Sequence, residues 1–130
     1  MTKLIDVVRA YFRGIEQGDL SAVLACYWDD AVQIEWPNRL KARGDRRGIA
    51  QLATDFAKGR ALLSRQSYEV ERFAETANYV VVEVLWRGTL AMPVGKLAVG
   101  DMMVAHSSIA FDFRDGRITS QRNYDCFEEF

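Results

Sequence analysis

Leu4, Val7, Val8, Tyr11 and Ile15 recur at the three-and-four spacing of one helix face, which predicts an amphipathic helix early in the chain. Gly18 ends it, because a residue without Cβ enters the left-handed conformation at little cost. Asp19 then offers a side-chain oxygen to cap a second, shorter helix running to about Trp28. Asp29 and Asp30 break that pattern. Residues 31–36 read as a short strand, with Val32, Ile34 and Trp36 on one face and Glu35 on the other. Residues 37–47 read as a long loop with five basic residues and one acid. A third helix follows, its apolar stripe formed by Ile49, Leu52, Ala53 and Phe56, with Gly59 at its end.

Beyond it the period changes from helical to alternating. Residues 66–76 and Tyr79–Leu90 flank a short connection at Ala77 and Asn78, and the second of these strands is rich in β-branched valine. Residues 102–113 and 117–125 flank Asp115-Gly116, a pair well suited to a two-residue hairpin turn. Helices first and hairpins after predict an α+β fold with the helices on one face of a sheet. A sheet that size curls around its helices and leaves a concave side, where small ligands bind. Tyr79–Leu90 is apolar on both faces: Val80, Val82, Val84 and Trp86 against Tyr79, Val81 and Leu85. One face belongs to the core, and the other calls for a cover, which predicts a homodimer.

Composition narrows the class. A chain of 130 residues, 49% hydrophobic and 27% charged, is expected to form one soluble globular domain, residues 1–130. A net charge of −1 gives no field to attract nucleic acid. The longest purely apolar run, residues 22–28, is far shorter than the roughly 18–20 residues that cross a bilayer. The first residues show no secretory apolar stretch. Cys26 and Cys126 lack the spacing of a zinc or disulfide motif, and one histidine, His106, cannot build a multi-histidine metal centre. The expectation is a cytoplasmic protein without cofactor, membrane or nucleic-acid partner, working on a hydrophobic small molecule.

The order of elements, with EQGDLSAVLACYWDDAV early and FRDGRITSQRNYD late, resembles the NTF2-like superfamily over nearly the whole chain. That group includes ketosteroid isomerases, SnoaL-like polyketide cyclases and limonene epoxide hydrolases. The resemblance implies a cone: a strongly curved antiparallel sheet wrapped around three helices of the N-terminal half, with a central pocket, often in homodimers joined through the outer face. Anchored on Gly18-Asp19 and on Asp29 to Ala31, an ungapped register puts Tyr11 where the isomerases carry the oxyanion-hole tyrosine. The same register puts Glu35 where they carry the carboxylate base. Their third group, a protonated aspartate, falls on Ile109 or Ser108, and neither is an acid. The epoxide hydrolases' final-strand aspartate falls on the Arg122-Asn123-Tyr124 segment, and their other charged positions on Val84 and Trp86, so that activity is not expected. The cyclases use a histidine and an aspartate, for which His106 and Asp125 are the candidates.

Tyr11 and Glu35 are therefore the catalytic expectation, as proton donor and base. Gln121, Asn123 and Asp125 share one face of the last strand, an unusually polar triplet for a core. With His106 and the aromatic residues Trp28, Trp36, Phe56 and Trp86, they are the expected ligand contacts. Two functions fit: cofactor-free proton transfer of isomerase or cyclase type on a carbonyl compound, or a non-catalytic ligand-binding or dimerisation module. The basic segment from Arg39 to Arg47 reads as a solvated surface or as a rim that guides an anionic ligand.

Overall fold

The computed structural model describes residues 3–130. Helix α1 (Leu4–Gln17) buries Ile5, Val8, Tyr11 and Phe12, so its buried face is turned from the expected stripe, and Leu4, Val7 and Ile15 are only partly buried beside it. It ends where Gly18 takes a left-handed conformation, φ 68°, and the backbone N–H groups of Gly18 and Asp19 close onto the carbonyls of Ile15 and Gly14. At its other end the Glu75 carboxylate accepts from the N–H groups of Leu4 and Ile5, at 3.2 and 3.0 Å. Lys3, at the cap position, offers no side-chain acceptor, so a residue seventy positions away supplies the negative charge that a helix start favours.

Asp19 caps α2 (Leu20–Leu24) through the Ala22 N–H at 3.1 Å. This helix stops short of the expected Trp28, because Tyr27 and Trp28 already belong to β1 (Tyr27–Glu35). Long-range pairing decides it: Tyr27 lies opposite Ile118, whose N–H donates to the Cys26 carbonyl. The basic segment holds a short strand, β2 (Asp45–Gly48), invisible to periodicity because its sequence is DRRG. Gly44, at φ 66°, makes the turn into it, where a Cβ would lie 2.4 Å from the Glu35 carbonyl oxygen. Helix α3 (Ile49–Leu62) runs through Gly59 rather than stopping there. Strands β3 (Leu63–Glu75), β4 (Tyr79–Leu90), β5 (Met102–Arg114) and β6 (Arg117–Phe127) complete the chain. Asp115 and Gly116 both have positive φ, 48° and 79°, as the tight β5–β6 turn requires.

The six strands form one open mixed sheet in the order β2-β1-β6-β5-β4-β3. All pairings are antiparallel except β1 with β6, which is parallel and carries the chain's first strand back beside its last. This is the α+β cone that the resemblance implies, with the parallel β1–β6 pair in place of an all-antiparallel sheet. Its core lies where α1 meets the inner faces of β4, β5 and β6, and Val8, Phe12, Val80, Val82, Phe111 and Ile118 fill it. Phe12 stacks on Tyr68 with ring centroids 4.4 Å apart, which fixes α1 against β3. Among the described residues no helix is long and apolar enough to cross a membrane.

Candidate functional site

Sheet register builds the site in rows. On β1 the inner face carries Ala31, Gln33 and Glu35, while Val32, Ile34 and Trp36 point to the other side. Parallel pairing sets Gln33 beside Gln121 and Glu35 beside Asn123. Across β1, Arg47 stands opposite Gln33 and Asp45 opposite Glu35. On the far side of β6, Ile109 lies opposite Asn123 and Ser107 opposite Asp125. Polar side chains from four strands therefore converge on the concave face.

Above them lies a two-lobed cavity. One lobe, about 200 Å³, is walled by α2 and α3 through Leu24, Leu52 and Phe56 and reaches Gln33, Arg47 and Asp55. The other, about 190 Å³, is walled by Trp86, Ile109 and Phe127 and reaches Glu35 and Asp125. Tyr11, Gln66, Tyr68 and Asn123 line both. Each lobe is smaller than the roughly 300–1,000 Å³ of a drug-sized site, and the two together reach that range.

A chain of hydrogen bonds runs under the cavity. Arg47 Nη2 donates to Gln33 Oε1, and Gln33 Nε2 donates to the Tyr27 hydroxyl at 3.3 Å. Tyr27 donates to Gln121 Oε1. Gln121 Nε2 donates to the Tyr11 hydroxyl at 3.2 Å and to Asn123 Oδ1 at 2.9 Å. Burial pushes the Tyr11 phenol above its usual range, against the hydrogen bond from Gln121, so it stays a neutral donor at physiological pH. Burial raises Tyr27 further still.

The two cavity carboxylates differ. Glu35 is tied on both oxygens: Oε1 accepts from Asn38 at 3.1 Å, and Oε2 lies 3.4 Å from Arg47 and 3.6 Å from Lys41. Asp125 accepts from the Ser107 hydroxyl at 2.7 Å on Oδ1 alone. Burial raises the Asp125 carboxyl above the ordinary carboxylate range; the Ser107 hydrogen bond opposes this and the Glu35 charge adds to it. Arg47 also pairs with Asp55 at 3.3 Å. Burial would raise Asp55, but hydrogen bonds from Gln51 and Arg47 outweigh it and hold that carboxyl below the usual range.

Of the residues singled out in the sequence, Tyr11, Glu35, Phe56, Trp86, Asn123 and Asp125 line the cavity. Gln121 does not: it is fully buried beneath the cavity and acts on its neighbours. Trp28 closes the far end of the sheet, where its N–H donates to the Arg114 carbonyl at 2.5 Å and its ring lies under Arg114 and Arg117. Trp36 is on the outer face, 42% exposed and packed against Tyr124. His106 also faces outward, because Ala105 and Ser107 take the inner positions of β5; its Nε2 lies 2.8 Å from Glu128. The cyclase histidine therefore has no counterpart at His106. In the basic segment Arg47 turns inward, whereas Arg39 stacks on Phe130 and bonds its carbonyl. Tyr27, Gln33, Arg47 and Ser107 were missed. Gln33 had a signal, since it shares the alternating face of Glu35.

Comparison with known proteins agrees with this fold. The family model described as a SnoaL-like domain matches residues 8–121. No curated protein sequence matches the chain. Among solved structures, IdmH of Streptomyces antibioticus, described as a candidate polyketide cyclase, is 18% identical with a TM-score of 0.80, covering 95% of this chain and 92% of its own. An LEH-like epoxide hydrolase from M. tuberculosis is 21% identical with a TM-score of 0.70, covering 96% and 82%. A Catenulispora acidiphila protein with a ketosteroid isomerase-like fold, bound to trimethylamine, is 16% identical with a TM-score of 0.73, covering 92% and 84%.

Proposed function

The chain belongs to the SnoaL-like domain family, and on that premise we propose that it catalyses cofactor-free proton transfer on a hydrophobic carbonyl compound. The observation that carries this reading is the convergence of Tyr11, a buried neutral phenol, and Asp125, a carboxylate of raised basicity with one oxygen free of donors among the described residues, on one lobe of the cavity.

Asp125 takes the proton from the carbon beside the carbonyl, and the C–H electrons pass into an enolate whose oxygen accepts from Tyr11. The protonated Asp125 exchanges its proton with pocket water and then delivers a proton to carbon, at the same or a conjugated position, and the enolate collapses to a carbonyl. No oxidant or reductant enters. The base is thus reassigned from Glu35, whose oxygens already accept from Asn38 and Arg47 and pair with the Lys41 charge. Glu35 acts through Asp125, by the nearby charge that favours its protonated form.

A 3-ketosteroid or a smaller β,γ-unsaturated ketone, followed by the absorbance of its conjugated isomer, tests the reading. Wild-type protein converts it, and Tyr11→Phe slows conversion by about 10²–10³-fold, the usual cost of an oxyanion donor. A ketone that binds the wild type without conversion would leave a ligand-binding module instead.

The outer sheet face is the second part of the reading. It carries Val81, Leu85, Ile34 and the exposed rings of Trp36 and Tyr124, 42% and 48% accessible. A second copy of the chain covers this face in a two-fold sheet-to-sheet contact. Sedimentation at micromolar concentration is expected to return twice the 14.8 kDa of one chain; a species of single-chain mass alone overturns the dimer.

A further inference from the structure

Among the described residues three carboxylates reach the cavity, and they differ in what balances their charge. Asp55 pairs with Arg47 at 3.3 Å, and Glu35 with Arg47 and Lys41 at 3.4 and 3.6 Å. Asp125 has no cation within ion-pair distance among the described residues; its hydrogen-bond partner is the neutral Ser107 hydroxyl. Arg47 acts on it only as a more distant charge, and Glu35 acts in the opposite sense. A half-buried carboxylate without a counter-charge is costly unless the cavity's occupant brings one.

The walls around Asp125 suit such an occupant. Tyr11, Tyr68, Trp86 and Phe127 line this lobe of about 190 Å³, and among the described residues no lysine or arginine does. Register sets Tyr68 beside Trp86 across β3 and β4. Tyr68 spends one ring face on Phe12, parallel to it within 11°, which leaves the other face for the lobe. Trp86 and Phe127 stand at 85° to each other, as two adjoining walls do. The field agrees with the walls. Burial pushes the Tyr68 phenol well above its usual range, and interactions with Tyr11, Asp125, Glu16 and Glu35 push the same way. Ring faces carry negative potential, so rings grouped around a carboxylate attract a cation from several sides. We infer that this lobe is a cation site for an alkylammonium group, seated against Tyr68, Trp86 and Phe127 with Asp125 as its counter-charge. A quaternary nitrogen has no hydrogen to give Asp125, so the carboxylate keeps its basic lone pair while the positive charge favours its ionised form. The carbonyl substrate then bears the ammonium group, with its apolar remainder in the lobe walled by Leu24, Leu52 and Phe56. That substrate assignment rests on the acid–base reading, whereas the cation site does not.

Phenyltrimethylammonium and tert-butylbenzene share one shape and differ by a charge, and NMR titration of either ligand reads its affinity. Wild type is expected to bind the cation about tenfold or more tighter than the hydrocarbon. Its N-methyl protons shift upfield on binding, as protons over ring faces do. Asp125→Asn keeps the side-chain shape and weakens the cation by about 10- to 100-fold, the attraction of unit charges several ångströms apart near a protein surface. The same variant keeps wild-type affinity for tert-butylbenzene, which shows the lobe intact. Trp86→Leu keeps an apolar wall, and it costs the cation about 3- to 30-fold more than it costs the hydrocarbon, the range of one cation–π contact. A wild type that binds the cation no better than tert-butylbenzene, or does not bind it, overturns the site. So does unchanged cation affinity in Asp125→Asn, or an equal loss of both ligands in Trp86→Leu. A failure of the acid–base reading looks different: the cation binds in this pattern while no ketone, with or without an ammonium group, is converted.

Discussion

Asp125→Asn is expected to slow conversion of a β,γ-unsaturated ketone by about 10²–10⁴-fold, the range that positioned general bases supply. The substitution keeps the shape and the acceptor for Ser107 but removes the basic lone pair. Stability separates this from damage to the fold. The Asp125 carboxyl is raised in the folded protein, chiefly by burial, so its charged form is disfavoured there. The stability linked to this group is complete below the ordinary carboxylate range and is lost as pH rises through the raised folded value. Asp125→Asn removes that loss, so the variant is at least as stable as wild type at neutral pH and the difference closes in acid. Glu35→Gln should behave otherwise. It takes away a charge that holds the Asp125 carboxyl up, so the acid limb of the pH–rate profile moves to lower pH while conversion persists. Abolished turnover in Glu35→Gln, with conversion persisting in Asp125→Asn, would return the base to Glu35.

Arg47→Met is expected to destabilise the protein by about 3–5 kcal/mol, the cost of leaving buried charges without their partner. The Arg47 side chain is 13% exposed, and it meets Glu35, 11% exposed, and Asp55, 19% exposed. Without it Glu35 keeps Lys41 at 3.6 Å, and Asp55 keeps Lys58 at 3.9 Å, a mostly solvated lysine. Gln33 loses the donor that its side-chain oxygen accepts from. The pH dependence carries a second signature. The Asp55 carboxyl is lowered in the folded state, against burial, by Gln51 and Arg47. That stability is present above the ordinary carboxylate value and lost as pH falls through the lowered folded one. Urea titrations of Arg47→Met should therefore show a large loss at pH 7 and a smaller one in acid. A loss below about 1 kcal/mol at pH 7 would place Arg47 among surface charges.

The hairpins were legible because their signals are local. Tyr79–Leu90 falls where alternation and valine content put it, and Asp115-Gly116 turns as its φ preferences dictate. What sequence could not supply was pairing between distant segments. The parallel β1–β6 contact takes Tyr27 and Trp28 from the expected second helix, and it brings Gln33 to Gln121. DRRG becomes a strand only because β1 offers it an edge. The β1 pattern also misleads by habit: its apolar residues, Val32, Ile34 and Trp36, lie on the outer face, while Gln33 and Glu35 face the cavity. A strand whose polar side points inward marks a site whose chemistry needs polar groups and an outer face that needs a cover. The final-strand triplet, Gln121, Asn123 and Asp125, was the most informative polar signal, and it divides into one fully buried residue and two that reach the cavity. His106 shows the opposite error, since a residue of rich chemistry on an alternating strand has even odds of facing away.

Deuterium exchange tests the central claim most directly. A β,γ-unsaturated ketone is incubated with the protein in D₂O, and the hydrogens beside its carbonyl are followed by NMR. The account predicts that wild type washes deuterium into that position far faster than buffer does, and that Asp125→Asn loses this exchange while still binding the ketone. Equal exchange in wild type and Asp125→Asn, or a bound ketone that takes up no deuterium, would contradict it.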